Sequence, residues 1–228
     1  VFPQGQYDIA IDAKIRRALT LHSNIRFFSY PNARATIRLA DNQPIYESIM
    51  AAATYPTRLD DVEFVNMVID ANGMHNPVLS PDETNGDLHT PTLRYVFRTY
   101  AGERVRIRDS TFMNLDNANT LSFNGVDVFD VTIERNVFLA VGGVKVDHDH
   151  STIYIDAQRV RIAKNQFKGR DDAGTIGART AIETHGKDID VVGNRVEGYL
   201  QGANIVGLTS VHHGNVTLRM SFIRKRWA

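Results

Sequence analysis

The chain has no cysteine in its 228 residues. Disulfide staples and metal sites that need thiolates are therefore excluded, while a reducing cytosol, a virion and a bacterial surface all remain compatible with the composition. Net charge is missing too. Twenty-six Lys and Arg balance 26 Asp and Glu, so no global field draws the protein to nucleic acid or to an anionic membrane, and neither is expected as a partner. No apolar run approaches the length of a membrane span. Proline is absent from the whole carboxy-terminal part, all seven lying between Pro3 and Pro91.

What is present is apolar material: 43% hydrophobic residues fill a core in one large domain or two small ones. That material recurs at a fixed interval. Val131, Ile133, Asn136 and Phe138 are matched by Val160, Ile162, Asn165 and Phe167, then by Ile189, Val191, Asn194 and Val196, each set 29 residues after the last. Weaker copies flank them. Val105, Ile107, Ser110 and Phe112 lie 26 residues before the first set, and Val216, Leu218, Ser221 and Ile223 end a copy that starts 27 after the last.

Each unit alternates apolar and polar residues, breaks at Asn or Ser, and resumes with an apolar residue. That is a short strand, a sharp bend and a second strand, with no helical period. A further strand begins 15 residues after each Phe, at Ile153 to Asp156 and at Ile182 to His185. Two or three short strands per unit without helices predict a parallel β-helix, an all-β fold in which each unit is one coil stacked about 4.8 Å from the next. Asn136, Asn165 and Asn194 are expected to be structural: Asn tolerates the left-handed backbone, and its amide bonds to its equivalent on the next coil.

Residues 1–91 depart from this regularity. Ile15 to Leu21, Ile25 to Phe28, Ala35 to Leu39 and Val62 to Ile69 are strand-like, with turns at Ser29 to Asn32 and Asp70 to Gly73. They are read as irregular first coils of the same solenoid, with 74–91 as a long loop, 92–228 as the regular coils and 1–228 as a single domain. Long loops in compact domains are commonly functional.

The opening Val1-Phe2-Pro3-Gln4-Gly5-Gln6-Tyr7-Asp8-Ile9 resembles that of the pectate-lyase-superfamily domain found in polysaccharide lyases, glycoside hydrolases and phage tailspike depolymerases. The Val-x-Ile-x-x-Asn-x-Phe coils and Val68-Ile-Asp-Ala-Asn-Gly73 are similar to repeats of that superfamily. The resemblance implies a right-handed, single-stranded, pectin-lyase-like β-helix, a polysaccharide partner, a homotrimer, and a location in a virion tail or outside the cell. In the family an Asp- and Ala-rich segment precedes the opening motif. Its absence here, with the strand-like start, leads us to expect a fragment that begins inside the first coil.

Residues in equivalent positions of stacked coils become neighbours, so the 29-residue register works as a contact map. It sets Tyr154 beside Glu183, Asp156 beside His185 and His150 beside Arg179. Ile153, Ile155 and Ile182 take the inward positions, so Tyr154, Asp156, Glu183 and His185 are expected to point outward. Asp147, His148, Asp149, His150, Asp171, Asp172 and Lys187 complete the densest group of titratable residues in the chain. Glu183, His185, Asp149, Asp147 and Arg179 are the catalytic candidates; Tyr154, Asp156, His150, Lys187, Asp171 and Asp172 are the candidates for binding substrate.

The same pattern has blander readings. Solenoid turns are polar by nature, and a His beside an Asp is often an ion pair. The run Asp147 to His150 also suits Zn or Mn, although no metal site or cofactor is assigned, a divalent cation being the alternative left open. His212 and His213, without nearby carboxylates, read as turn residues. Carboxylates one coil apart lie about 5 Å apart, near the spacing of retaining glycosidases, and two coils give about 10 Å, near the upper limit for inverting ones. Glu183 with Asp149 fits hydrolysis; His185 or Lys187 as base with Arg179 fits elimination beside a uronate. The expected function is binding and cleavage of an extended surface polysaccharide, as by a phage tailspike depolymerase. The alternatives are a non-catalytic glycan-binding or structural tail segment, and a secreted uronate lyase or epimerase.

Overall fold

Alternation of side chains sets the strands. In Val131-Thr-Ile-Glu the two apolar residues are 1% and 0% exposed, whereas Thr132 and Glu134 keep contact with solvent. The computed structural model describes residues 1–44, 46–54, 57–76, 95–115, 119–141, 151–169, 180–199, 201–206 and 216–224. Among the described residues there are eighteen strands, one short 3₁₀ turn at Gly73–His75 and no helix long and apolar enough to cross a membrane.

The strands, numbered along the chain, form three parallel ladders that the backbone visits in turn, over about six turns of a solenoid. Ladder I holds β2 (Arg17–Leu21), β5 (Ser48–Ala52), β8 (Tyr95–Glu103), the first part of β11 (Leu121–Glu134), the first part of β13 (Ser151–Ala163), β15 (Thr180–Thr184) and β17 (Gln201–Ile205). Ladder II holds β3 (Ile25–Phe28), β6 (Val62–Val65), β9 (Arg106–Arg108), the later parts of β11 and β13, then β16 (Lys187–Tyr199) and β18 (Val216–Arg224). Ladder III starts with β1 (Gly5–Ile9), β4 (Ala35–Leu39), β7 (Met67–Asp70) and β10 (Thr111–Met113), and continues with β12 (Val137–Leu139), β14 (Gln166–Lys168) and the ends of β16 and β18. The strand-like segments expected in the first third are all present. β5 was not anticipated, because Ser48, Ile49 and Met50 are buried in succession and show no alternation.

The expected core column is continuous: Val131, Ile133, Phe138, Val160, Ile162, Phe167, Ile182, Ile189, Val191 and Val196 are all at most 3% exposed. Aromatic rings stack along it. Phe112, Phe138 and Phe167 follow one another at 5.3 and 4.7 Å between centroids, and Phe27 lies 5.0 Å from Phe64. These offset contacts add to the area they bury.

The asparagines stack at the bend between ladders II and III. Asn136 Nδ2 donates to Asn165 Oδ1 at 3.1 Å, and Asn165 Nδ2 to Asn194 Oδ1 at 2.9 Å. The same oxygens accept the backbone N–H of the preceding coil's Asn, each at 2.9 Å, and the second amide hydrogen reaches a carbonyl of that coil. Ser110 joins the ladder by donating its N–H to Asn136 Oδ1 at 3.0 Å. One expectation is corrected. The left-handed residue is the one before each Asn, namely Arg135, Lys164 and Gly193, with φ of 54°, 55° and 66°. The bend is made there, which leaves Asn free to tuck its amide inside, at most 1% exposed.

Non-glycine residues in that conformation cost about 1 kcal/mol each or more, and several of them carry charges that pair between coils. Arg104 forks onto Asp61 at 2.8 and 2.7 Å, Arg159 onto Asp130 at 2.7 and 2.9 Å, and Arg135 onto Asp109 at 2.7 and 2.9 Å. All six residues have positive φ. The guanidinium hydrogen bonds hold these three carboxyls below the usual carboxylate range.

Truncating Phe167 to Ala should cost about 3 to 5 kcal/mol through the cavity it leaves, read by denaturant unfolding; a loss below about 1 kcal/mol would remove it from the core. Asn165→Ala should cost about 3 kcal/mol or more, since the buried N–H of Asn136, the carbonyl of Ile133 and the amide of Asn194 all lose a partner. The ion pairs predict an acid limit. Their carboxyl pKa values are lower in the folded chain, so the stabilisation is complete above the ordinary Asp value near ~4 and is lost as pH falls through the folded values. The melting temperature should therefore drop below about pH 4, and replacing Asp61, Asp109 and Asp130 with Asn should shallow that drop.

Candidate functional site

The outer face of ladder I carries one line of residues fixed by strand register. Arg98 on β8 pairs with Ser122 on β11, Ser122 with Tyr154 on β13, Tyr154 with Glu183 on β15, and Glu183 with Asn204 on β17. A companion line begins with Asn124 opposite Asp156 and reaches His185, which follows the Ile155 and Thr184 pair and donates its backbone N–H to Ile155 O at 2.7 Å. Gly186 then turns the chain toward ladder II. A Cβ there would sit 1.8 Å from the carbonyl oxygen of Ala157, so only glycine lets the coils approach at this corner.

Glu183, His185 and Tyr154 come together as the register requires. His185 Nε2 lies 2.8 Å from Glu183 Oε1, and the imidazole and Tyr154 ring centroids are 5.1 Å apart. The exposures differ from expectation. Glu183 occupies an outward register position, since Ile182 faces the core, yet its side chain is only 7% exposed, whereas that of His185 is 32% exposed. The imidazole, not the carboxylate, is the part of the pair that meets solvent. An ionised Glu183 accepts a hydrogen bond, which places the shared proton on Nε2 and leaves Nδ1 as the basic atom of the neutral ring. The pair can thus pass a proton at Nδ1 while the buried carboxylate stabilises the imidazolium.

Asp156 is half-buried one position beyond Ile155 and belongs to this patch. Lys187 does not. It opens β16, in register with Gln158, beyond the turn at Gly186 and on ladder II. Asp147, Asp149, His150, Asp171, Asp172 and Arg179 lie outside the described residues, as do His148, His212 and His213. The greater part of the 74–91 loop lies there too. Among the described residues, no group of three or more His, Asp or Glu is arranged to hold a metal.

The sequence reading missed Arg98. Its guanidinium lies between the rings of Tyr95 and Tyr100, 4.4 Å from each centroid, and Nη1 donates to Glu47 Oε1 at 2.6 Å. Its Nε and the hydroxyl of Ser122, adjacent in the same line, are buried with no hydrogen-bond partner among the described residues. The tyrosines flanking Arg98 were a usable signal, although Tyr95, Val96 and Phe97 are buried in succession and show no alternation. The register was not, because β11 shifts against β8 between Phe123 and Asp127, where Gly125 presses on the carbonyl of Tyr100.

No protein-family model and no curated protein sequence matches the chain. Among solved structures it matches a tailspike protein mutant of E. coli bacteriophage HK620 in complex with a hexasaccharide, with a TM-score of 0.70 at 15% identity. The chain is a right-handed parallel β-helix resembling that tailspike. The match covers 97% of this chain and 43% of the tailspike chain, so the β-helix described here corresponds to less than half of that protein.

Proposed function

We propose that the chain is a carbohydrate-binding β-helix of a phage tail, that it lays an extended surface polysaccharide along the outer face of ladder I, and that it cleaves the polymer there. The observation that carries this reading is the contact of the half-exposed His185 with buried Glu183 at 2.8 Å, with the Tyr154 ring alongside. An aromatic face takes the apolar C–H side of a sugar ring, and the imidazole delivers or removes a proton at the glycosidic or adjacent position. The resemblance to a tailspike in complex with a hexasaccharide supports the choice of a glycan. His185 touches the substrate in this scheme and Glu183 sets its tautomer and charge. No cofactor is needed for that chemistry. Asp147, Asp149, Asp171, Asp172, His150 and Arg179 fit as further contacts, with a second carboxylate among them for hydrolysis or a cation for elimination.

The test uses capsular, lipopolysaccharide, teichoic and uronate polymers, with products weighed by mass spectrometry. Fragments that have gained water mark a hydrolase, and unsaturated fragments of unchanged summed mass mark a lyase. On a polymer that the parent cleaves, Glu183→Gln keeps the shape and removes the charge, and should lower cleavage at least about a hundredfold without lowering the melting temperature. Tyr154→Ala should mainly weaken binding. Normal cleavage by Glu183→Gln would overturn the assignment, and binding of polymer without any product would leave a non-catalytic glycan-binding segment.

A further inference from the structure

A second site lies on a different face. On the outer surface of ladder II, near the amino-terminal end, Phe28 on β3 and Val65 on β6 are paired in register and half-buried. They floor a groove of about 470 Å³ walled by Tyr30 and Pro31, with Arg26 and Asn66 also lining it. Its volume falls in the range of sites for small molecules, and its lining is of the expected kind, mostly apolar with a few fixed polar groups. Glu183 lies four coils beyond Val65, and five beyond Arg26 and Phe28, on another ladder, about 19 to 24 Å along the axis at 4.8 Å per coil.

The wall is held in place. Tyr30 is 56% exposed, yet its carbonyl oxygen accepts hydrogen bonds from Asn66 Nδ2 at 2.7 Å and from the N–H of Ala33 at 3.0 Å. Asn66 Oδ1 in turn accepts from Arg34 Nε at 3.0 Å, and Arg34 also reaches Thr111 Oγ1 at 3.1 Å and the backbone carbonyl of Asp109. An exposed aromatic ring on a turn tied to three coils is pre-organised for a ligand, since little freedom is lost on binding.

The hydrogen-bonding groups around the groove define what fits. The carboxylates are already charge-paired: Glu63 lies 2.7 Å from Arg26 Nε and accepts from Arg108 with its other oxygen, and Asp109, which also lines the groove, accepts from Arg135 with both. Donors are left over. Arg26 sets Nε 2.7 Å from Glu63 as an ion pair and rests its guanidinium 4.9 Å from the Phe28 ring centroid, and its two Nη atoms have no acceptor among the described residues. Arg34 spends its donors on an amide, a hydroxyl and a carbonyl, so no carboxylate is bonded to its charge. The groove therefore offers an apolar floor, an aromatic wall and positive charge with open donors.

We infer that this groove is a second carbohydrate site, taking an acidic pyranose whose C–H face lies against Tyr30 and Phe28 and whose carboxylate meets the Nη atoms of Arg26. The choice of a sugar over another acidic ring rests on the carbohydrate reading above; the requirement for an acid with an apolar face rests on the groove alone. Guanidinium and carboxylate pair through charge-assisted hydrogen bonds, which sets the preference for an acid over its neutral analogue.

The test is a titration of the chain with methyl β-glucuronide, methyl β-glucoside and phenylacetate, followed by amide chemical shifts. The glucuronide should shift the amides around Arg26, Tyr30 and Asn66 and bind about tenfold more tightly than the glucoside, the increment of one charge-assisted hydrogen bond. Arg26→Gln should remove that preference, and since Glu63 keeps Arg108 as a partner the fold is retained. Tyr30→Ala should weaken both sugars, and Glu183→Gln should bind the glucuronide here as the parent does. Equal binding of the two glycosides, tighter binding of phenylacetate, or glucuronide affinity that survives both Arg26→Gln and Tyr30→Ala would overturn the proposal. The two readings fail separately: absence of polymer cleavage together with Arg26-dependent glucuronide binding removes the first and keeps the second.

Discussion

The amide of Asn165 decides where everything else in the regular coils can sit. Its oxygen takes two N–H groups of Asn136, its nitrogen serves Ile133 and Asn194, and all of this happens out of water. A slip of one coil against the next by a single residue would break the three buried hydrogen bonds that the asparagine amides make between those coils and reverse every side chain's facing. Burial of one face already excludes a one-residue slip, but a two-residue slip keeps the apolar side chains inward and is opposed less by packing alone. The asparagine ladder turns a tolerant stack into one with a fixed alignment, and the neighbouring positions of Tyr154 and Glu183 follow from it through the strands.

That dependence explains what the sequence made legible. Wherever the spacing is 29 residues, as from Asn136 to Asn194, the pairing of Tyr154 with Glu183 and the burial of Phe138 and Phe167 could be read directly. The reading failed where a coil contains a local irregularity. The shift at Phe123 to Asp127 hid Arg98, and the unbroken burial of Ser48 to Met50 hid β5, since neither shows in a pattern of alternation. The left-handed residue was misplaced for a different reason. Backbone conformation at a bend is shared between two adjacent positions, and propensity favoured Asn, whereas the positive φ falls on Arg135 and Lys164 and the Asn amides turn inward to their hydrogen bonds.

Register also cannot give depth. Alternation correctly sets Glu183 on the face opposite Ile182, but its 7% side-chain exposure depends on what covers that face, including the imidazole bonded to it. The consequence is chemical. A carboxylate open to water is a poor means of holding a histidine in one tautomer, whereas one shielded from solvent interacts more strongly with the charge that develops beside it. Burial therefore leaves the imidazole, and not the acid, as the part of the pair open to solvent, while the hydrogen bond keeps the two side chains in one unit.

The two candidate sites use the same solenoid in opposite ways. On ladder I, neighbouring coils each contribute one side chain to a line running along the axis, which suits a polymer that extends over several coils. On ladder II, a turn folds over two coils and encloses a groove between its aromatic wall and the strand surface, which suits a single ring. The difference arises from the bends. Ladder I is entered from ladder III through segments of variable length, whereas Ser29 to Arg34 is a short connection pinned by Asn66 and by the bridge of Ser29 with Phe2. A tightly fixed corner cannot follow a long chain but can hold one residue of it with a defined orientation. Because an acidic group held at Arg26 would lie on a face distinct from that of His185, the proposed groove would restrain a polysaccharide without competing for the surface proposed for proton transfer.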